Sequence, residues 1–242
     1  MLSTLRGGNG SRWSPRSLPG LIAWYYAHPS FWVMSSESEI TTWLDRSDTK
    51  SDISTAGGSH PSPGIWSPGV YPVDFDGAVD FLTTTTAPIA TLVSGTDIPF
   101  SLLITMQINA SNDHGVAEWL SGGNGLVQMR TNNAPPEQLR IQRRDDAATS
   151  VTVTGALDVG TTPNRHAFIF PGTTVTTIRG RDIDNNASAM NVGATTLTEF
   201  RLGRSTIGQL DGKVTECVIY NRAITVAEWQ QYVWYSLGEF GA

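Results

Sequence analysis

The hydrophobic pattern of this chain comes in short bursts, mostly four to nine residues long, separated by residues that favour turns. The longest apolar run, Phe100-Ser101-Leu102-Leu103-Ile104-Thr105-Met106-Gln107-Ile108, predicts a central strand buried on both faces. Further strands are predicted over 21–26, 73–75, 80–82, 116–120, 126–130, 138–143, 150–153, 165–170, 173–179, 199–202 and 213–220. Asp76-Gly77, Gly122-Gly123-Asn124-Gly125, Asn132-Asn133 and Asp184-Asn185-Asn186 separate them as turns, so Asp182 and Asp184 fall in a hairpin turn. About a dozen short strands with breakers between them predict an all-β antiparallel sandwich. Residues 27–72 are predicted to be a long loop with one short element at Ile40-Thr41-Thr42-Trp43-Leu44, and a loop that long implies a function.

A single helix is predicted, near the end. Thr225-Val226-Ala227-Glu228 has the spacing of a capping box, and Val226, Trp229, Val233 and Leu237 follow at helical intervals. Gly238 is expected to end it. At the other end, Gly7, Gly8, Gly10, Pro15 and Pro19 predict an extended arm over 1–19, ahead of one domain over 20–242. That arm holds Arg6, Arg12 and Arg16 and no acid.

The chain has 242 residues and a net charge of −6, so the acidic excess lies in the body. An acidic body argues against nucleic acid as a partner. Charged residues make up 16% of the chain, against roughly 25% in an average domain, with Thr, Ser and Gly in their place. The one cysteine, Cys217, sits in a strand-like stretch and reads as an inert buried thiol. No apolar run reaches transmembrane length and no secretory leader is recognisable, so membrane insertion is not expected and the sequons at Asn9, Asn109 and Asn186 read as chance.

Several stretches resemble concanavalin A-like, laminin G-like jelly-roll domains of phage and bacterial surface proteins. They are Leu18-Pro19-Gly20-Leu21-Ile22-Ala23-Trp24-Tyr25, Trp43-Leu44-Asp45-Arg46-Ser47 and Val73-Asp74-Phe75-Asp76-Gly77-Ala78-Val79-Asp80-Phe81-Leu82, then Phe200-Arg201-Leu202-Gly203-Arg204. The fullest match runs from Leu210-Asp211-Gly212-Lys213 to Tyr220-Asn221-Arg222-Ala223-Ile224-Thr225. The resemblance implies the fold over roughly 18–238 and does not specify the function, because the fold hosts lectins, glycanases, receptors and virion proteins.

Glycanases of this fold carry closely spaced acids on one strand. Glu37 and Glu39 alternate in a serine-rich stretch and Asp182 and Asp184 in a turn, so neither pair fits and no catalysis is expected. Members that bind calcium do so at the sandwich rim, which makes Asp45, Asp48 and Asp52, or Asp76 and Asp80, the candidate ligands; no other cofactor is expected. His28, His60, His114 and His166 lack metal-ligand spacing. Trp24, Trp43 and Trp119 are expected in the core, and Trp66 is left open.

An extracellular-type fold with no leader and no disulfide fits a phage virion protein. The leading expectation is therefore a capsid decoration or head-fibre protein in the virion, a homo-oligomer that binds capsid or other virion proteins. Its expected contacts are Arg6, Arg12, Trp13 and Arg16 of the arm and Phe31 and Trp32 of an unusual apolar cluster at 31–34. The alternative is an extracellular or tail-borne module that binds carbohydrate.

Overall fold

A computed structural model describes residues 13–58, 60–66, 70–109, 113–132, 137–186 and 189–240, with the side chains of 185, 186 and 240 left aside. Two antiparallel sheets form a β-sandwich with one C-terminal helix. The first sheet runs β15 (Asp182–Asn186), β14 (Val175–Arg179), β13 (Asn164–Phe170), β8 (Phe100–Ile108), β17 (Asp211–Tyr220), β6 (Val73–Asp76) and β5 (Ser62–Pro63). β1 (Leu21–Tyr26) also belongs to it. β17 is long enough to pair with β6 through its first residues and with β1 through its last. The second sheet runs β12 (Ser150–Asp158), β11 (Gln138–Arg144), β10 (Leu126–Thr131), β9 (Gly115–Leu120), β16 (Glu199–Leu202), β7 (Leu82–Thr84), β4 (Ile53–Thr55), β3 (Glu39–Trp43) and β2 (Trp32–Ser36).

Strand alternation divides the apolar residues between two cores. Leu102, Ile104, Met106, Phe168, Phe170, Cys217 and Ile219 face inward, where Trp43 and Trp119 of the second sheet meet them. Leu103, Ala167, Ile169, Val218 and Tyr220 point the other way, toward helix α1 (Val226–Phe240). The first sheet is thus covered on both faces, which explains why β8 reads as an unbroken apolar run rather than an alternating one. Trp24, Trp43 and Trp119 are buried as expected.

The capping box forms. The Glu228 amide donates to Thr225 Oγ1 at 3.2 Å and the Thr225 amide donates to Glu228 Oε2 at 2.8 Å. Arg222 pairs with Glu228 at 2.7 Å and holds its carboxyl well below the usual range, at about 2. The helix runs on through Gly238 to Phe240, so the glycine does not end it. Its buried stripe is Trp229, Tyr232, Val233 and Ser236, while Val226 is exposed.

Three other expectations are corrected. The supposed loop over 27–72 contains β2, β3, β4 and β5, strands of two to five residues rich in Ser and Thr and too short to show a period. Asp182 and Asp184 lie in strand β15, and the turn before it is made by Gly180, at φ +56°, and Arg181. Along β2, alternation turns Trp32 into the core and leaves Val33 exposed, so Trp32 is not a surface contact. Of the arm, Arg6 and Arg12 lie outside the described residues. Its last residues pack on the chain's own body, with Leu18 buried and the Tyr220 hydroxyl donating to the Pro15 carbonyl at 3.0 Å.

Candidate functional site

The outward side chains of β1 form the floor of a groove between the loops of the second sheet and helix α1. Trp24 and Tyr26 point out because Ala23 and Tyr25 point in. The turn after β1 brings His28 and Phe31 beside Tyr26, with ring centroids 6.4 and 6.3 Å from it. Helix α1 supplies the opposite wall. Tyr235 lies edge-on to Trp24 at 6.4 Å, and one turn later Glu239 accepts a hydrogen bond from the Tyr26 hydroxyl at 3.3 Å. Burial, and then the neighbouring Glu239, push the Tyr26 hydroxyl up to about 12. Trp13 closes the end, 5.5 Å from Tyr235, with its indole donating to Gln231 at 3.1 Å.

Arg46 lies at the centre of the groove. Its guanidinium carbon is 4.0 Å from the Trp24 ring centre, 4.5 Å from Phe31 and 4.9 Å from Tyr26. On one side of it is a hollow of about 380 Å³ beside Trp13, Tyr26, His28, Tyr235 and Glu239. On the other side a hollow of about 580 Å³ extends past Arg16, Leu44, Lys50 and Asp52. Together these are large enough for a small oligosaccharide.

Asp45 holds Arg46 in place. Asp45 Oδ1 accepts from the Trp24 and Ser47 amides at 2.9 and 2.7 Å. Its Oδ2 accepts from the Ser47 and Thr49 hydroxyls at 2.6 and 2.9 Å and from the Ser51 amide at 2.9 Å. The Arg46 amide donates to the Trp24 carbonyl at 2.8 Å, which locks the loop to β1. Five donors occupy the Asp45 carboxylate, so no lone pair faces a cation.

The other calcium candidates are placed no better. Asp48 extends into solvent, 3.9 Å from Arg16. Asp52 Oδ1 accepts from the Asp45 amide at 2.8 Å. Asp76 Oδ1 accepts from the amides of Ala78, Val79 and Asp80, and Asp80 Oδ2 from the amide of Asp76, as turn formers do. Among the described residues no group of three or more His, Cys, Asp or Glu side chains is placed to hold a metal ion.

Of the expected partner contacts, Trp13, Arg16 and Phe31 line this groove. Arg16 is turned onto the chain itself, donating to the Arg46 carbonyl. Arg46, Tyr26, His28, Tyr235 and Glu239 were not anticipated. The i, i+4 spacing of Tyr235 and Glu239 on the helix was the available signal.

Beneath the floor lies Glu216, fully buried, with Oε1 accepting from the Trp24 indole at 2.7 Å and Oε2 closing no hydrogen bond. Burial pushes its carboxyl up to about 7. On the second sheet, Glu118 and Glu199 occupy adjacent strands and both pair with Arg201, at 3.2 and 2.7 Å. Glu118 is fully buried and accepts from the Thr206 amide at 2.8 Å. These two acids are thus tied to one cation. One more aromatic surface lies on α1, where Trp234 is exposed beneath Arg181, 5.5 Å away.

No family model and no curated protein sequence matches the chain. Solved structures do match in fold. A botulinum neurotoxin type C structure, described as showing that cell entry depends on interaction with two ganglioside molecules, aligns with TM-score 0.62 and 8% identity, over 90% of this chain and 51% of that one. The binding domain of paraclostridial mosquitocidal protein 1 aligns at 0.60 and 9%, over 88% and 52%. Trypanosoma rangeli sialidase aligns at 0.59 and 14%, over 93% and 34%. The chain thus spans about half the length of the toxin chains and a third of the sialidase. At such identities the likeness is one of fold alone, that of a β-sandwich domain.

Proposed function

We propose that this domain is a non-catalytic carbohydrate-binding module that takes a glycan into the groove around Arg46. The observation that carries the reading is the groove itself, a concave site walled by Trp13, Tyr26, Phe31 and Tyr235 with polar groups at both ends. Sugar rings present apolar faces that stack on aromatic side chains, and their hydroxyls need donors and acceptors at the rim. The solved structures similar in fold support the reading, since one is the binding domain of a mosquitocidal protein and one is described through its gangliosides. A broad glycan array probed with the intact chain is expected to give discrete hits. Tyr235→Ala, which removes one wall, is expected to weaken them at least tenfold. An array without hits contradicts the proposal.

A second reading is favoured by a different surface. β2 ends the second sheet, and Val33 and Met34 on it are 47% and 37% exposed. An edge strand with exposed apolar side chains is a template for pairing with another chain. In this reading the domain decorates a phage capsid or forms a head fibre, as a homo-oligomer, with the groove facing outward. Quantitative mass spectrometry of purified particles tests it: a copy number in simple ratio to the shell protein supports it, and absence from particles overturns it.

A further inference from the structure

The basic side chains of this protein fall into two groups. Arg16, Arg130, Arg143, Arg201, Arg222 and Lys213 each have a carboxylate partner within 4 Å. Arg46 belongs to the second group, with residues such as Lys50, Arg140, Arg144 and Arg181 that have no carboxylate within 4 Å among the described residues, and it borders both hollows of the groove. Its guanidinium is held instead by three aromatic rings. Rings can hold the flat faces of a guanidinium, but they leave its in-plane N–H edges free to donate. Arg46 borders the hollows on either side.

Among the described residues, none of the surrounding acids forms an ion pair with that guanidinium. The Asp45 carboxylate is filled by five donors and Asp52 accepts from the Asp45 amide. Glu216 is fully buried below the Trp24 indole, beyond contact with a ligand. Arg16 and Lys50 line the same hollow as Arg46, beside Asp45 and Asp52, whose hydrogen bonds tie them to the loop backbone. The opposite end has the reverse character, since Glu239 lies beside the Tyr26 hydroxyl and His28. A ligand that fits both ends carries an anionic group at one side of a ring and hydroxyls at the other.

We infer that the groove selects acidic sugars, with Arg46 forking the carboxylate of a sialic or uronic acid residue while the aromatic walls take its ring. This rests on the carbohydrate-binding reading and narrows it to one ligand class. A carboxylate accepts two parallel N–H bonds from one guanidinium, a geometry that a lysine ammonium does not reproduce.

The test is calorimetric titration of the intact chain with lactose, 3′-sialyllactose, a glucuronate-ended disaccharide and sulfated lactose. At least one carboxylated sugar is expected to bind ten times tighter than lactose. Arg46→Gln is expected to weaken the carboxylated sugar at least ten times more than it weakens lactose, and Arg46→Lys to recover only part of that loss. Melting curves and near-ultraviolet circular dichroism of both variants establish that they fold. If Arg46→Gln does not fold, Arg46→Lys alone decides, because it keeps the charge and removes the fork. Equal affinity for lactose and the acidic sugars overturns the inference and leaves the glycan reading standing. So does an acid preference that survives in the folded variant, or a preference for the sulfated sugar over the carboxylated ones. Binding of none of the four overturns the inference and the glycan reading together.

Discussion

Replacing Glu216 by glutamine is expected to stabilise the protein by about 3 kcal/mol at pH 8 and to leave its stability at pH 4.5 nearly unchanged. Glutamine keeps an acceptor for the Trp24 indole and removes the charge. The direction follows from proton linkage. The folded state holds the Glu216 proton up to about pH 7, whereas an unfolded glutamate releases it near its ordinary value of 4.5. The stabilisation from this group is therefore complete below pH 4.5 and is lost as pH rises through 7. A displacement of that size on a fully buried group is worth about 3 kcal/mol. His166 works in the opposite sense. Burial, and then Arg179, push its imidazole down to about 3, so its contribution is present above pH 6.5 and is lost as pH falls through 3. Between pH 4.5 and 6.5 the two oppose each other, which predicts a flat stretch in the wild-type profile. Glu216→Gln exposes the acid limb of His166 alone. Urea midpoints at pH 8, 6 and 4.5 check this; a variant destabilised equally at all three contradicts it.

Asp45→Ala is expected to cost roughly 3–5 kcal/mol and to abolish glycan binding together with stability. The side chain is 4% exposed and accepts from three backbone amides and two hydroxyls. Removing it strands five donors in a site where alanine offers no acceptor. The loop over 45–52 is then fastened to β1 more weakly, through the Arg46 amide and the Ser47 and Thr49 hydroxyls, and the backbone position that puts Arg46 over Trp24 loosens. For a domain of this size the loss corresponds to a fall in melting temperature of roughly 10 °C. A change within about 0.5 kcal/mol, as at an ordinary surface position, contradicts the assignment of Asp45 as the anchor of the loop.

Much of the fold was readable along the chain because it rests on local rules. β8 spans the apolar run itself, and the capping box of Thr225 and Glu228 starts α1 where the spacing puts it. Trp43-Leu44-Asp45-Arg46-Ser47 was legible as a fold motif, and the structure gives its physical reason in the donors gathered on Asp45. Of the strands inside 27–72, the element at Ile40 to Leu44 was legible as β3, and the others were not. β4 and β5 have three and two residues, too few for alternation to show, and β2 pairs with β3 through register shifts that break its period. That irregularity is why Phe31, Trp32, Val33 and Met34 read as one apolar cluster when the fold sends Trp32 inward and Val33 outward.

The groove was hidden for another reason. Tyr26, Arg46, Tyr235 and Glu239 meet only because β1 lies beside the end of β17 and α1 folds back over that sheet. No window of sequence contains them together. Rules of spacing pointed instead to the acids of the loops, and those turn out to be occupied in holding the loops' own backbone.

Following the tryptophan indole N–H resonances while the strongest binder from a glycan array is added to the intact chain shows whether the glycan enters the groove. Trp13 and Trp24 border the groove, whereas Trp43 and Trp119 lie in the sandwich interior. The account predicts that the indole signals of Trp13 and Trp24 move in proportion to binding while those of Trp43 and Trp119 stay in place. Saturable binding that leaves both Trp13 and Trp24 unmoved would place the glycan elsewhere on the domain and contradict the groove as its site.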